Sequence, residues 1–230
     1  PVKDELQSKV LIPILGDQRG AVLDRGELKL TFDCDKGEVS IFYFQHRFPV
    51  NPREYSRILE MNLDRLEHRG GSGDEKYLEL RSRAAACGHR PGRRDEAPEQ
   101  RAERNRDKEI HKRRLAALCA QSADIAQFIA RNVSEINGTP GDSRSFDALH
   151  DLIKMQAYRL AYWRVAADDI NYRRFFDIND LAALRMENQA VFEATHRFVL
   201  GLVRDGKLNG LRIDHPDGLF DPAQYFQRLQ

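Results

Sequence analysis

Gly210-Leu211-Arg212-Ile213-Asp214-His215-Pro216-Asp217-Gly218 is the stretch on which the reading of this chain turns. Leu208, Leu211 and Ile213 form a short apolar run after Gly206, long enough for a buried strand and too short for a helix. Asp214 would end that strand, with Arg212 two residues earlier on the same face, because side chains repeat every second residue along a strand. A cation in that place orients a carboxylate and favours its charged form, which a nucleophilic carboxylate requires. The same residues also suit a strand that runs into an ordinary turn, since Asp, Pro and Gly are turn formers. Spacing alone leaves both readings open.

Upstream of Gly206 the pattern is helical over 109–205. Leu115, Leu118, Ile125, Phe128 and Ile129 share a face that ends at Asn137-Gly138-Thr139-Pro140-Gly141. Ser145 is placed as an N-cap for a helix carrying Phe146, Leu149, Leu152, Ile153, Leu160 and Trp163. Beyond a break at Asn171, Asn179 or Asp180 could cap a short helix, and Val191, Thr195, Phe198, Val199 and Leu202 stripe another. Helix, glycine, buried strand and Asp-bearing loop is the order of an α/β barrel unit, whose active groups gather at strand C-termini.

Asn171 to Asp180 packs Tyr172, Arg173, Arg174, Phe175, Phe176 and Asp177 into one short stretch. Aromatic faces that cover C–H surfaces, together with planar groups that bind hydroxyls in pairs, are what a sugar requires. A buried corner, with the aromatics in the core and Arg173 or Arg174 paired with Asp177, is the alternative. Tyr172, Arg173, Arg174 and Phe176 are the candidate binding residues.

The N-terminal segment, 1–69, opens with the apolar run Val10 to Gly16. Period-two alternation then predicts a β-hairpin over 27–44, with its turn at Asp35-Lys36-Gly37, and helical spacing follows from Glu54 to Glu67. Gly70-Gly71-Ser72-Gly73 breaks that helix. Low apolar content, glycines and mixed charge make 70–108 an expected charged flexible loop. Residues 89–114 hold ten Lys or Arg against six acids, but with no aromatic interleaved for base stacking, a solvated segment is preferred to a nucleic-acid-binding arm.

Composition narrows the classes. Lys+Arg 37 against Asp+Glu 36 leaves no basic field to draw the chain to nucleic acid or membrane, and no apolar stretch approaches a membrane span. Cys34, Cys87 and Cys119 are widely separated without a CxxC pair, which suggests neither a disulfide framework nor a zinc site and fits a reducing cytosol. His150 lacks a second ligand at i+4, so neither metal nor cofactor is expected.

Gly210 to Asp214 resembles the G-x-R-x-D strand of the α-amylase superfamily (glycoside hydrolase family 13). Asn171 to Asp180, Arg185-Met186-Glu187, Phe192 to His196 and Asp214 to Leu219 are similar to the branch that rearranges the end of a maltooligosaccharide into a trehalose unit. Lys9 to Gly16, Gly26 to Phe32, Asn137 to Phe146 and Gln156 to Trp163 are also similar to that branch. The resemblance implies a predominantly α-helical α+β chain, a fragment of a (β/α)8 barrel enzyme: a helical insertion over 109–205 with a small hairpin before it, then a nucleophile-bearing strand and catalytic loop over 206–230. It implies an intramolecular transglycosylase that converts the reducing-end α-1,4 linkage of an α-1,4-glucan to an α,α-1,1 linkage. Asp214 would be its nucleophile, Arg212 the group that holds Asp214 ionised, and His215 and Asp217 would contact the sugar. A maltooligosyl trehalose trehalohydrolase would be the pathway partner.

The general-acid strand of that family has no counterpart in these residues, so an incomplete and inactive internal piece is expected; the chain begins Pro1-Val2-Lys3 without an initiator Met. The competing reading is a non-catalytic helical interaction module in which Asp214 caps a turn.

Overall fold

The computed structural model describes residues 9–70, 75–88 and 98–230. Its contacts divide the chain into two units, Pro1–Arg164 and Val165–Gln230.

In the first unit, alternation produces the expected hairpin. β2 (Leu28–Asp33) and β3 (Glu38–Tyr43) pair antiparallel from Leu28↔Tyr43 to Asp33↔Glu38, and β4 (His46–Pro49) adds a third strand on β3. Leu28, Leu30, Val39, Ile41 and Tyr43 are buried together, the one-sided core expected of a sheet with period-two patterning. Gly37, at φ +61, makes the turn; a Cβ there would lie 2.1 Å from the Lys112 carbonyl oxygen, so the hairpin tip is fitted against a helix.

β1 (Val10–Leu15) is the apolar run, and it pairs parallel with β5 (Tyr158–Tyr162), slipping register between Pro13 and Leu15 where proline lacks a donor. Between them lie α1 (Arg19–Asp24), α2 (Tyr55–Leu59), α3 (Leu63–Gly70), α4 (Glu75–Gly88), α5 (Pro98–Gln121), α6 (Ala123–Ile136) and α7 (Asp147–Lys154). Two expectations fail here. The charged segment 70–108 is not a loop where it is described, because Glu75–Gly88 and Pro98–Gln121 are helices. Tyr77, Leu80, Ala84 and Cys87 recur at helical spacing and are buried, a stripe that average composition conceals; residues 71–74 and 89–97 lie outside the described residues. The helix expected to reach Trp163 stops at Lys154, because Tyr158 to Tyr162 satisfies the backbone of β1, a partner far away in sequence.

Three side-chain amides fasten these elements. Asn137, just after α6, accepts from Leu30 N at 2.6 Å and donates to Leu30 O at 2.8 Å, matching the open edge of β2 as a neighbouring strand would. Asn132, 1% exposed, donates to Ile58 O at 2.8 Å and Met61 O at 2.7 Å. Gln156 accepts from Asn51 N at 2.7 Å and donates to Leu152 O at 2.6 Å.

The second unit contains α8 (Ala166–Asp169), β6 (Arg174–Phe175) paired antiparallel with β7 (Ile178–Ala182), α9 (Gln189–Arg204) and α10 (Pro222–Leu229). Asn179 and Asp180 lie in β7 and cap no helix, since the chain turns back on Arg174-Phe175 there. α9 buries Phe192 and His196, whereas Phe198, from the expected stripe, is 79% exposed. The strand expected over Leu208 to Ile213 does not form: 207–214 is irregular, with Leu208 and Leu211 exposed. A buried strand needs a ladder, and among the described residues none pairs with this segment.

Replacing Asn137 with Ala strands both polar groups of the Leu30 backbone, so urea unfolding should show a loss of about 2 kcal/mol. A loss under about 0.5 kcal/mol would mean that water serves the β2 edge equally well.

Candidate functional site

The turn between β6 and β7 and the loop after α9 carry residues far apart in sequence, and the fold brings them together. Phe175 pairs with Ile178 across the β6–β7 ladder, and Phe176 makes the turn at φ 54. His215 also lies in the left-handed region, at φ 51. Few non-glycine residues adopt that conformation, and such strain concentrates at functional sites. The two strained residues face each other: the His215 ring stands edge-on to Phe176 at 5.1 Å and to Phe175 at 5.8 Å, while Phe175 and Phe176 are 4.5 Å apart. All three rings remain accessible; Phe176 is 58% exposed.

Asp214 adjoins this aromatic ledge. One carboxylate oxygen is 3.6 Å from His215 Nε2 and the other 3.5 Å from an Arg212 guanidinium nitrogen. The Arg212 and Asp214 side chains are 90% and 69% exposed, so water screens this long contact and the ion pair holds Asp214 only weakly. Asp217 is exposed in the 3₁₀ turn Pro216–Gly218. Asp214 accepts no backbone hydrogen bond among the described residues, so no turn cap by its side chain is seen there.

The arginines serve the scaffold. Arg173 grips Glu187 with two hydrogen bonds, 2.9 and 2.7 Å, and its guanidinium lies 5.2 Å from the centre of the Phe220 ring. Desolvation pushes the Glu187 carboxyl up, but its own backbone amide, Arg185 and Arg173 outweigh that and leave it lower than usual. A carboxyl so held does not serve as a proton donor near neutral pH. Arg174 donates to Asn179 Oδ1 at 2.8 Å and pairs with Asp177 at 3.3 Å, the pairing that the buried-corner alternative expected, but the corner is not buried, since the Asp177 side chain is fully exposed and both phenylalanines are exposed. The Tyr172 hydroxyl donates to Asn179 O at 2.7 Å, and desolvation raises its pKa. The decapeptide therefore divides its work, with its polar groups bracing the hairpin and its phenylalanines facing outward.

Sequence reasoning missed the group that ties α9 to α10. His196 is stacked on Phe192 with ring centres 4.3 Å apart, and its two nitrogens lie 3.0 Å from Phe192 O and 2.8 Å from the Tyr225 hydroxyl. The i to i+4 relation of Phe192 and His196 was visible; the distant Tyr225 was not. Arg228 donates to Met186 O and Glu187 O, both at 3.1 Å. Among the described residues no cluster of three or more His, Cys, Asp or Glu could hold a metal ion, and no helix is long and apolar enough to cross a membrane.

No family model matches the chain. Two proteins from strains of Mycobacterium tuberculosis, CDC 1551 / Oshkosh and H37Rv, are each 46% identical to it over 83 residues. The chain resembles maltooligosyl trehalose synthase. That name is carried by both mycobacterial proteins, and the match spans 36% of this chain and 10% of theirs. A maltooligosyltrehalose synthase structure from Arthrobacter ramosus aligns with 98% of this chain and 17% of its own at 25% identity, with a TM-score of 0.45. Another maltooligosyl trehalose synthase structure aligns with 96% of this chain and 17% of its own at 21% identity, with a TM-score of 0.46. The chain thus spans under a fifth of the solved maltooligosyl trehalose synthases it matches.

Tyr225→Phe deletes the hydroxyl that meets His196, and equilibrium unfolding should report a loss of about 1 kcal/mol. In a His196→Phe background the same change should cost almost nothing; an undiminished loss would show that the hydroxyl acts through other contacts.

Proposed function

We propose that this chain is the nucleophile-bearing part of a maltooligosyl trehalose synthase, an intramolecular transglycosylase acting on maltooligosaccharides. The observation that carries the reading is the placement of Asp214 beside the His215–Phe176–Phe175 ledge, which joins the two motifs of the sequence. The 46% identity over 83 residues supports it.

In the proposed reaction Asp214 attacks the anomeric carbon next to the terminal glucose. The bond from that carbon to the glucose O4 breaks, and O4 takes a proton from a general acid. The anomeric hydroxyl of the released glucose then attacks the glycosyl-enzyme, giving its proton to the conjugate base of that general acid as Asp214 leaves as a carboxylate, and an α,α-1,1 linkage results. Phe175, Phe176 and the His215 ring would cover the C–H faces of the sugar and keep water from the intermediate. Asp217 would bind a hydroxyl, and Arg212 would close on Asp214 once bound sugar displaces the water that screens them now. Tyr172, Arg173 and Arg174 would act on the substrate through the hairpin they brace. The product is the chemistry that a maltooligosyl trehalose trehalohydrolase consumes, and the compartment proposed is the cytosol.

Double displacement needs a second carboxyl roughly 5–5.5 Å from the nucleophile. Among the described residues Asp214 pairs with Arg212 and His215 and with no acid, and Glu187 is engaged by Arg173 and Arg185. The 230-residue chain alone is therefore proposed to be inactive.

Incubated with maltopentaose, the purified chain should yield no non-reducing product by chromatography; turnover near that of a complete synthase would refute the division of labour. In a complete synthase carrying these residues, Asp214→Asn should reduce turnover at least about a thousandfold with circular dichroism unchanged. Retention of more than about a tenth of the rate would exclude Asp214 as the nucleophile.

A further inference from the structure

Cys34 and Cys119, far apart in sequence, are brought together by the fold of the first unit. Cys34 sits in the turn just after β2 and continues the core-facing register of Leu28, Leu30 and Phe32. Cys119 lies in the last turn of α5. Several contacts fix how the hairpin tip meets that helix. A Cβ on Gly37 would lie 2.1 Å from Lys112 O and 3.0 Å from Ala116 N, so the tip rests directly on the α5 backbone. Glu38 accepts from Lys112 Nζ at 2.8 Å, and Asp33 accepts from Lys36 N at 3.1 Å, which holds the turn itself. Lys112, Ala116 and Cys119 recur at helical spacing, so the face of α5 that receives the hairpin is the one that carries Cys119. There the Cys34 and Cys119 thiols are in hydrogen-bonding contact, and both pack on the same apolar core.

The two thiols differ in access. Cys119 is 6% exposed, whereas Cys34 is half-buried and within reach of a small reagent. Burial, with Cys34 beside it, pushes the Cys119 thiol up to about 12, so it stays protonated and inert towards reagents in solution. Cys34 is therefore the thiol that an oxidant meets first. The third cysteine, Cys87, is 2% exposed and lies near Tyr55.

We propose that Cys34 and Cys119 form a reversible disulfide, which locks the β2–β3 hairpin to α5 when the chain meets a peroxide. The proposal does not depend on the Asp214 assignment. In the first step the Cys34 thiolate attacks a peroxide oxygen; the O–O bond breaks, and the departing hydroxide takes up a proton and leaves as water. The sulfur, oxidised by two electrons as the peroxide is reduced, becomes a sulfenic acid. The Cys119 sulfur then attacks the Cys34 sulfur. The S–S bond forms, the S–O bond breaks, and the leaving hydroxide carries off the Cys119 proton as a second water. Two thiols and one peroxide thus become one disulfide and two waters. Closure to about 2.05 Å between sulfurs already in contact requires little more than side-chain rotation. A dithiol reductant reverses the link by exchange.

The test is exposure of the full chain to hydrogen peroxide, followed by thiol counting under denaturing conditions and non-reducing peptide mapping by mass spectrometry. Free thiols should fall from three to one, with Cys34 and Cys119 in a single linked peptide, Cys87 still free, and all three restored by dithiothreitol. The urea midpoint of the oxidised chain should rise, because the link closes a long loop in the unfolded state. After the same treatment Cys34→Ser should keep Cys119 and Cys87 as free thiols. Cys119→Ser should leave Cys34 as a sulfenic or sulfinic acid; if that variant does not fold, Cys34→Ser decides alone. A linked peptide that contains Cys87, a link between two chains, a sulfinic acid at Cys34 with Cys119 still free, a urea midpoint that stays or falls, or loss of the Cys119 thiol in Cys34→Ser would each overturn the proposal.

Discussion

A buried peptide group must find a hydrogen-bond partner, and this requirement decides where strands form in the chain. β1 exists because β5 supplies a parallel ladder across nearly the whole first unit. The free edge of β2 is answered by the two ends of one amide, Asn137, so that a helix terminus completes a sheet. Leu208 to Ile213 has the composition of a strand and no ladder among the described residues, and it stays irregular with its leucines in water. Apolar content sets the potential for a strand; the partner realises it.

The second unit obeys a related limit. Few residues are available to bury its apolar side chains, and Phe175, Phe176, Leu184, Phe198 and Phe220 stay exposed. Surface of this kind on so small a body marks contact with something else. What fixes the unit internally is largely polar: the Arg173–Glu187 fork, the Arg228 bonds to two carbonyls and the His196–Tyr225 hydrogen bond. Such groups give direction to a small fold, since each works at only one geometry, where a small apolar core would tolerate several.

These limits also explain which parts of the molecule were legible in the sequence. The β2–β3 hairpin announced itself because alternation, turn and pairing are all local. Tyr158 to Tyr162 did not, because helical spacing through Leu160 was satisfied on paper and the competing partner lay far away in β1. α4 was concealed by its charges, although Tyr77, Leu80, Ala84 and Cys87 carried the period. At the site, residue types were legible and geometry was not. Asp214, His215 and Phe176 were singled out by residue type in two separate motifs, and their proximity was not foreseen, while the strand imagined to present Asp214 is absent and Arg212 holds it only loosely.

The two left-handed residues show how the site keeps its shape despite that looseness. A left-handed conformation costs a non-glycine residue roughly 1–2 kcal/mol. Two edge-to-face ring contacts on His215, at about 0.5–1.5 kcal/mol each, are of the size needed to offset the cost at that residue. The cost at Phe176 is met by the β6–β7 ladder and by Arg174, which bonds Asn179 and Asp177 across the same turn. Balance this close implies a cooperative arrangement, in which removal of either phenylalanine ring is expected to relax the backbone at His215, one residue from Asp214. By this reckoning the two ring contacts on His215 steady the backbone beside Asp214 more than the long, water-screened contact with Arg212 does.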